Sequence, residues 1–187
     1  GQGIKTWADG NTYDGEWEND ELHGKGKLTY SDGCVYDGLW KNDKAYGEGV
    51  YTCDDGQRYK GQWKNDMFHG EGVCIYPDGS RYYGQWENGK KHGQGFNIYV
   101  DGDQYEGQWV NDMFHGQGVF TWSDGRKYNG SWKENIRQGH GVITFPDGDR
   151  YEGQYEKGKR QGQGVYTWAD GRRYEGDFKR NVRDGEG

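Results

Sequence analysis

The sequence contains little proline, few cysteines and no long apolar run. Only 2 of its 187 residues are Pro and 3 are Cys. No stretch approaches the roughly 20 apolar residues that a membrane-spanning helix needs, and residues 1–9 carry no signal-peptide pattern. The cysteines Cys34, Cys53 and Cys74 are odd in number and occupy unrelated places. That usage favours reduced thiols in a cytosolic protein over a disulfide framework.

Apolar residues are also scarce, which on its own is typical of a disordered chain. They make up 30% of the sequence, and the mean hydropathy is −1.34. Aromatic residues, in contrast, reach 17%, and each ring buries a large area on few rotatable bonds. We therefore expect an ordered chain that does not enclose a globular core.

A repeat of 23 residues accounts for the aromatic content. A tyrosine returns at this interval without insertion or deletion, at Tyr13, Tyr36, Tyr59, Tyr82, Tyr105, Tyr128, Tyr151 and Tyr174. A glycine stands two residues after each tyrosine, and an aromatic residue stands four after it, from Trp17 to Phe178. Each unit also has a Gly-x-Gly, the last at Gly185 and Gly187. Because the chain opens and closes inside the repeat, we expect residues 1–187 to be one array of about eight repeats, a fragment of a longer protein.

The spacing inside one unit predicts a β-hairpin. Tyr36, Gly38 and Trp40 are two residues apart and so share one face of a strand. Asp32-Gly33 lies between alternating runs, and glycine accepts the positive φ that a hairpin turn needs. We predict strands near residues 26–31 and 34–40, with residues 41–46 looping back to the next hairpin.

Stacked hairpins predict an all-β fold, an elongated and twisted single-layer antiparallel sheet. Eight units of two strands would span roughly 80 Å at a strand spacing of about 4.8 Å. A single hairpin is marginal in water, so stacking between repeats must supply the stability. We predict an aromatic ladder along one face, made by Tyr36, Trp40, Tyr59, Trp63, Tyr82, Trp86, Tyr105, Trp109, Tyr128 and Trp132.

The repeat unit resembles the MORN repeat over the whole chain. Residues 82–93, Tyr-Tyr-Gly-Gln-Trp-Glu-Asn-Gly-Lys-Lys-His-Gly, and residues 105–116 show the motif most fully. Tyr46, Gln138, Gln161 and Asp184 stand where the motif has His. The resemblance is greatest to the all-MORN cytoskeletal scaffold proteins of protozoan, apicomplexan parasites. It implies a non-catalytic scaffold with a role at cell division, although MORN repeats also occur in membrane-junction proteins, beside enzymatic domains and in adaptors for myosin tails.

No arrangement of residues indicates catalysis, a cofactor or a metal. His23, His69, His92 and His115 occupy one repeat position, so neighbouring copies lie about 10 Å apart. Zinc ligands lie within about 2.3 Å of the ion, so two such histidines cannot share one. We expect loop histidines hydrogen-bonded to the next turn, and a metal held between two chains is the alternative.

Charge is unevenly distributed. The formal net charge is −7; residues 1–125 hold 11 Lys and Arg against 21 Asp and Glu, and residues 126–187 hold 13 against 10. The overall sign disfavours nucleic acid and anionic membranes at long range. Cations nevertheless concentrate near the end, at Lys157, Lys159, Arg160, Arg172, Arg173, Lys179 and Arg180. This cluster is a solvated face, a protein contact or an anion site for lipid head groups such as phosphoinositides, and the sequence leaves all three open.

The sequence predicts a scaffold that self-associates. Unpaired edge strands template pairing with another chain, and exposed rings suit a protein partner. We expect a homodimer through the terminal repeat at Tyr166, Trp168, Tyr174 and Phe178, and contact with a cytoskeletal protein. The expected location is cytoplasmic, on the cytoskeleton or the membrane periphery. The alternatives are an adaptor that binds a partner peptide along the aromatic groove and a phosphoinositide-dependent membrane-tethering module.

Overall fold

The computed structural model describes residues 1–185, so Gly187 of the last Gly-x-Gly lies outside the described residues. The chain divides into two compact units, Gly1–His92 and Gly93–Gly187. Among the described residues there is no helix that could cross a bilayer. The single array expected over residues 1–187 stays a prediction.

Both units are built from β-strands, and each described pairing is antiparallel. The first unit contains β1 (Gln2–Thr6), β2 (Thr12–Glu18), β3 (Glu21–Thr29), β4 (Val35–Lys41), β5 (Lys44–Thr52), β6 (Arg58–Lys64), β7 (Met67–Ile75) and β8 (Arg81–Glu87). The second contains most of β9 (Lys90–Ile98), then β10 (Gln104–Val110), β11 (Met113–Thr121), β12 (Lys127–Lys133), β13 (Ile136–Thr144), β14 (Arg150–Glu156), β15 (Lys159–Thr167), β16 (Arg173–Lys179) and β17 (Val182–Asp184). Within each unit, strands adjacent in sequence pair with each other. The predicted all-β fold of successive antiparallel hairpins is confirmed.

The connection between β4 and β5 differs from the prediction. The residues expected to loop back, 41–46, contain instead a two-residue turn at Asn42 and Asp43, with φ of 52° and 63°. Asn and Asp tolerate this left-handed conformation, so β5 begins at Lys44 and pairs with β4 at once. The predicted loop was therefore wrong. The Asp-Gly turn forms as expected, and Asp32 Oδ1 accepts a hydrogen bond from the Cys34 N–H at 3.0 Å.

A tyrosine ring lies over two glycines in six of the repeats. Tyr36 is 1% exposed, and its hydroxyl donates to the Leu39 carbonyl at 2.9 Å, which bends the side chain back along its own strand. The ring covers Gly38 and, across the strand pair, Gly49, where an added Cβ would meet ring atoms at 2.5–2.7 Å. Gly38 thus leaves room for the ring of Tyr36 on its own strand.

The tryptophan of each repeat fastens that repeat to the one before. Trp40 Nε1 donates to the Gly26 carbonyl at 3.0 Å, fourteen residues earlier in the chain. The same bond joins Trp63 to Gly49 at 3.2 Å and Trp132 to Gly118 at 3.1 Å. Tyr155 and Phe178 take this position in the last repeats and lack the indole N–H.

The tight turns form a second link between repeats. Asp66 donates its backbone N–H to the Ala45 carbonyl at 3.2 Å, and its Oδ1 accepts the Ala45 N–H at 2.9 Å. Asn135 and Asn181 make the same reciprocal pair with residues 21 positions earlier. A side-chain acceptor at this turn therefore satisfies a backbone donor of the preceding turn.

We expect Asp66→Ala to lower the free energy of unfolding by about 1–2 kcal/mol, because an N–H loses its acceptor and alanine is strained at a φ of 65°. Asp66→Asn keeps both the acceptor and the tolerance of this φ, and it should change stability by less than about 0.5 kcal/mol. Urea unfolding of the two variants measures the difference. Equal destabilisation by both would mean that the link contributes nothing.

One cysteine prediction is wrong. Cys34 and Cys53, expected to be reduced, form a disulfide, and Cys74 is a buried free thiol. Cys34 lies at the end of one Asp-Gly turn and Cys53 at the start of the next, so their different repeat positions still bring them together. The bond joins two successive turns.

Candidate protein-interaction face

The predicted ladder residues share one face of the strands and contact each other edge to face. Ring centroids of Tyr36 lie 5.0 Å from Trp40 and 4.8 Å from Trp63, so Tyr36 is held between its own tryptophan and that of the next repeat. The pattern recurs at Tyr59 with Trp63 and Trp86, and at Tyr105 with Trp109 and Trp132. Tyr82 with Trp86, and Tyr128 with Trp132, complete the predicted set. We call the side of the sheet that carries these rings the aromatic face.

Burial changes the chemistry of the tyrosine hydroxyls. Removal from water raises the pKa of Tyr13, Tyr128 and Tyr151 to about 12, and it raises the pKa of Tyr36, Tyr59 and Tyr105 further. Each phenol stays protonated and donates to a backbone carbonyl three residues on, as Tyr59 does to Gln62 at 2.8 Å. These hydroxyls are structural donors.

The outer rings of the aromatic face remain partly open to solvent. In the first unit, Tyr30, Tyr51 and Phe68 are half-buried and border a groove of about 390 Å³ whose edge carries Asp32 and Asp66. In the second unit, Tyr166 and Trp168 are half-buried beside a groove of about 360 Å³ that is edged by Arg160 and Arg183. Rings with a polar edge are the usual anchors of protein interfaces.

The four residues predicted for a terminal interface differ in exposure. Tyr174 and Phe178 are buried inside their own repeat, with exposed fractions of 9% and 2%, while Tyr166 and Trp168 present surface. The Tyr166 hydroxyl donates to Asp149 Oδ2. Burial and this hydrogen bond raise the pKa of Tyr166 to about 12. A substitution at Phe178 would therefore report on folding, and Trp168 is the better probe of an interface.

The predicted cationic cluster lies in three places. Lys157, Lys159, Lys179 and Arg180 surround a groove of about 420 Å³ at the tight-turn end of the last repeats. Arg172 lies in the Asp-Gly turn at the opposite end of β16, paired with Asp170 at 2.7 Å, and Arg173 pairs with Glu175 at 2.8 Å. Arg160 lies on the aromatic face, 5.2 Å from the Tyr151 ring centroid.

The histidines lie in strands, so their predicted placement in loops was wrong. His23 lies 3.3 Å from Glu18 and His92 lies 3.4 Å from Glu87, each across a tight turn. Over residues 1–185, no group of three or more His, Cys, Asp or Glu side chains is placed to hold a metal ion. These contacts are those of strand residues beside a turn.

Sequence reasoning missed a row of arginines on the aromatic face. The residue paired with the tryptophan position is Leu22, Ala45, Phe68 or Phe114 in four earlier repeats, and Arg137, Arg160 and Arg183 in the last three. The repeat of Tyr82 has Lys91 at the same sequence position. The signal lay in the repeat itself, since this residue always follows the repeat tyrosine by nine positions. It was missed because the cations were grouped by closeness in sequence.

Comparison with known proteins identifies the repeat. The family model described as MORN repeat matches nine segments, residues 1–12, 13–35, 36–58, 59–81, 82–104, 105–125, 128–150, 151–172 and 174–187. The first and last of these are partial units, which accounts for the difference from about eight repeats. No curated protein matches the chain.

Several solved structures resemble the fold. The TCP domain of Drosophila melanogaster SAS-4, solved with a proline-rich motif of Ana2, is 13% identical, with 83% of this chain and 85% of that one covered and a TM-score of 0.47. The TCP10 domain of Danio rerio CPAP, solved with a STIL peptide, is 14% identical, with 95% and 89% covered and a TM-score of 0.41.

Proposed function

The chain belongs to the MORN-repeat family, and on that premise we propose that it is a non-catalytic scaffold that binds protein segments on its aromatic face. The observation that carries the proposal is the row of half-buried rings beside open grooves in both units. The buried rings of the same face are already held by hydrogen bonds, as Trp40 is through its indole N–H and Tyr36 through its hydroxyl. Binding of a partner therefore requires little reordering of the face.

Self-association is the first use of this face that we propose. Tyr166 and Trp168 supply partly exposed ring surface in the terminal repeat, and a second copy offers the same surface in a symmetric dimer. Such a scaffold would organise cytoskeletal or membrane-associated assemblies in the cytoplasm, including those of cell division.

We expect sedimentation equilibrium to give a mass near twice 21.5 kDa, and Trp168→Ala to shift the dimer toward monomer by about tenfold in dissociation constant. Trp7→Ala, in the first unit, is the matched control because it removes an equally half-buried ring. A monomer at every concentration, or equal effects of the two variants, would contradict the terminal interface. The adaptor, which binds a partner's segment in the groove, would then be the remaining use of the face.

A phosphoinositide site is the second candidate, favoured by the four cations at the tight-turn end. Lys157, Lys159, Lys179 and Arg180 line one groove together with a single carboxylate, that of Glu156, whereas Arg172 and Arg173 lie elsewhere with carboxylate partners. Pelleting with phosphoinositide vesicles that fails to weaken after Lys157→Gln, Lys159→Gln and Lys179→Gln together would exclude this site.

A further inference from the structure

The aromatic face of each of the last three repeats carries an arginine at a position where earlier repeats carry an apolar side chain or, in the repeat of Tyr82, Lys91. Arg137 pairs in register with Trp132, Arg160 with Tyr155 and Arg183 with Phe178. Strand register therefore places one guanidinium per repeat on the same face as the rings.

Each guanidinium packs on aromatic rings. Arg137 lies 5.1 Å from the Tyr155 ring centroid and 5.5 Å from that of Tyr128. Arg160 lies 5.2 Å from Tyr151, and Arg183 lies 5.1 Å from Trp168. Cation–π packing fixes a guanidinium on the ring while its N–H groups remain able to donate.

The three groups have no carboxylate partner among residues 1–185. Salt bridges of the second unit engage other arginines, namely Arg126, Arg150, Arg172 and Arg173. Within the row, Arg137 donates a hydrogen bond to the Gly158 backbone carbonyl at 2.9 Å. The nearby carboxylate of Asp149 already accepts hydrogen bonds from the Tyr166 hydroxyl and the Ala169 N–H. Positive charge on this face is thus unmatched within the described chain.

The row has a spacing that a polypeptide can match. Equivalent positions in successive repeats are two strands apart, about 10 Å. Three residues of a polyproline II helix, which completes one turn in that length, or seven residues of an α-helix cover about the same distance and return the side chain to the same side. Carboxylates at either spacing can meet successive guanidinium groups, and apolar residues between them can contact the rings.

We propose that Arg137, Arg160 and Arg183 are carboxylate receptors that dock an acidic segment of a partner protein on the aromatic face. Charge complementarity selects an acidic segment. The two parallel hydrogen bonds that a guanidinium donates to a carboxylate fix the position of that segment along the row. A bilayer fits less well, because Arg137 and Arg160 are half-buried among rings whereas Lys157, Lys159 and Lys179 are exposed at the turn end. The inference rests on the proposed function of the face and names the chemistry of its ligand.

The test uses a labelled peptide of about twelve residues with Glu at every third position and Leu between, so that a polyproline II conformation places the Glu side chains in one row, and an analogue with Gln for Glu. Fluorescence anisotropy should show the Glu peptide binding at least about tenfold more tightly than the Gln analogue, and more weakly as salt rises. Arg137→Gln, Arg160→Gln and Arg183→Gln together should remove that preference. The matched control, Lys157→Gln, Lys159→Gln and Lys179→Gln, removes equal charge and should leave the affinity within about twofold.

A second triple variant protects the test against simple misfolding. Replacing the three arginines with Lys keeps the charge but not the planar fork, so we expect intermediate binding on an intact fold. If the triple lysine variant at the turn end weakens peptide binding as much as the triple arginine variant does, the attraction is non-specific and the inference is overturned. Equal binding of the Glu peptide and the Gln analogue would overturn the acidic preference while leaving the docking face intact, and binding of neither would overturn both. Anionic vesicles that bind through these arginines when the peptide does not would assign the row to lipid instead.

Discussion

Gly49→Ala is expected to lower the free energy of unfolding by about 3 kcal/mol, at the upper end of the usual cost of overpacking. A Cβ at this position would lie 2.5 Å from Tyr36 Oη and 2.6 Å from Tyr36 Cε2. The ring cannot retreat, because its hydroxyl is bonded to the Leu39 carbonyl and its edges meet Trp40 and Trp63. Chemical denaturation of the variant and the wild type measures the loss.

Gly56→Ala separates steric clash from backbone strain. Gly56 has a φ of 94° and no atom within 4 Å of an added Cβ, so its substitution should cost only about 1 kcal/mol. Gly49 lacks a positive φ, so its cost is steric. If the two variants lose equal stability, the ring does not confine the glycine. In a Tyr36→Ala background the Gly49→Ala penalty should largely disappear.

Alkali is expected to unfold the protein cooperatively as the pH rises from about 10 toward about 12. Burial raises the pKa of Tyr13, Tyr128 and Tyr151 from 10.0 to about 12, so the folded state holds protons that the unfolded state releases. Stability is therefore complete below pH 10 and falls above it, by about 1.4 kcal/mol per pH unit for each such tyrosine. Phenolate absorbance and circular dichroism should change together in one transition.

Tyr128→Phe tests the assignment of this transition. The variant loses the hydroxyl bond to the Ser131 carbonyl, which lowers stability at neutral pH, and it also loses one buried ionisable group. The slope of unfolding free energy against pH above 10 should therefore decrease. Gradual phenolate titration with retained circular dichroism would contradict the role of burial.

Sequence periodicity was sufficient for the fold but not for its connections. The two-residue spacing of Tyr36, Gly38 and Trp40 placed the rings on one face, and the structure has them there. The turn at Asn42 and Asp43 was missed because Asp-Gly is the stronger hairpin signal and each repeat contains both. The shift in register between Gly38 and Trp40, which moves the partner of Trp40 to Ala45, has no signal in a single repeat.

The candidate site was harder to predict because strand neighbours point to opposite faces. Lys159 and Arg160 were grouped as one cationic cluster, yet the first lies at the turn end and the second packs on rings. Arg172 and Arg173 were added to the same cluster, although β16 separates them from Lys179 by about 20 Å of strand. Cys34 and Cys53 were set apart by repeat position, but adjacent turns bring them into a disulfide.

The tryptophan and turn links also determine how the chain can fold. They join residues 14 and 21 positions apart, about 0.07 and 0.11 of the chain length. Relative contact orders of this size belong to helical bundles, whereas sandwiches and barrels reach about 0.16–0.22. The entropy cost of closing each loop is therefore small, and a folded repeat can nucleate its neighbour on either side. Although the protein is made of β-strands, these links between its repeats are as local in sequence as the contacts of a helical bundle.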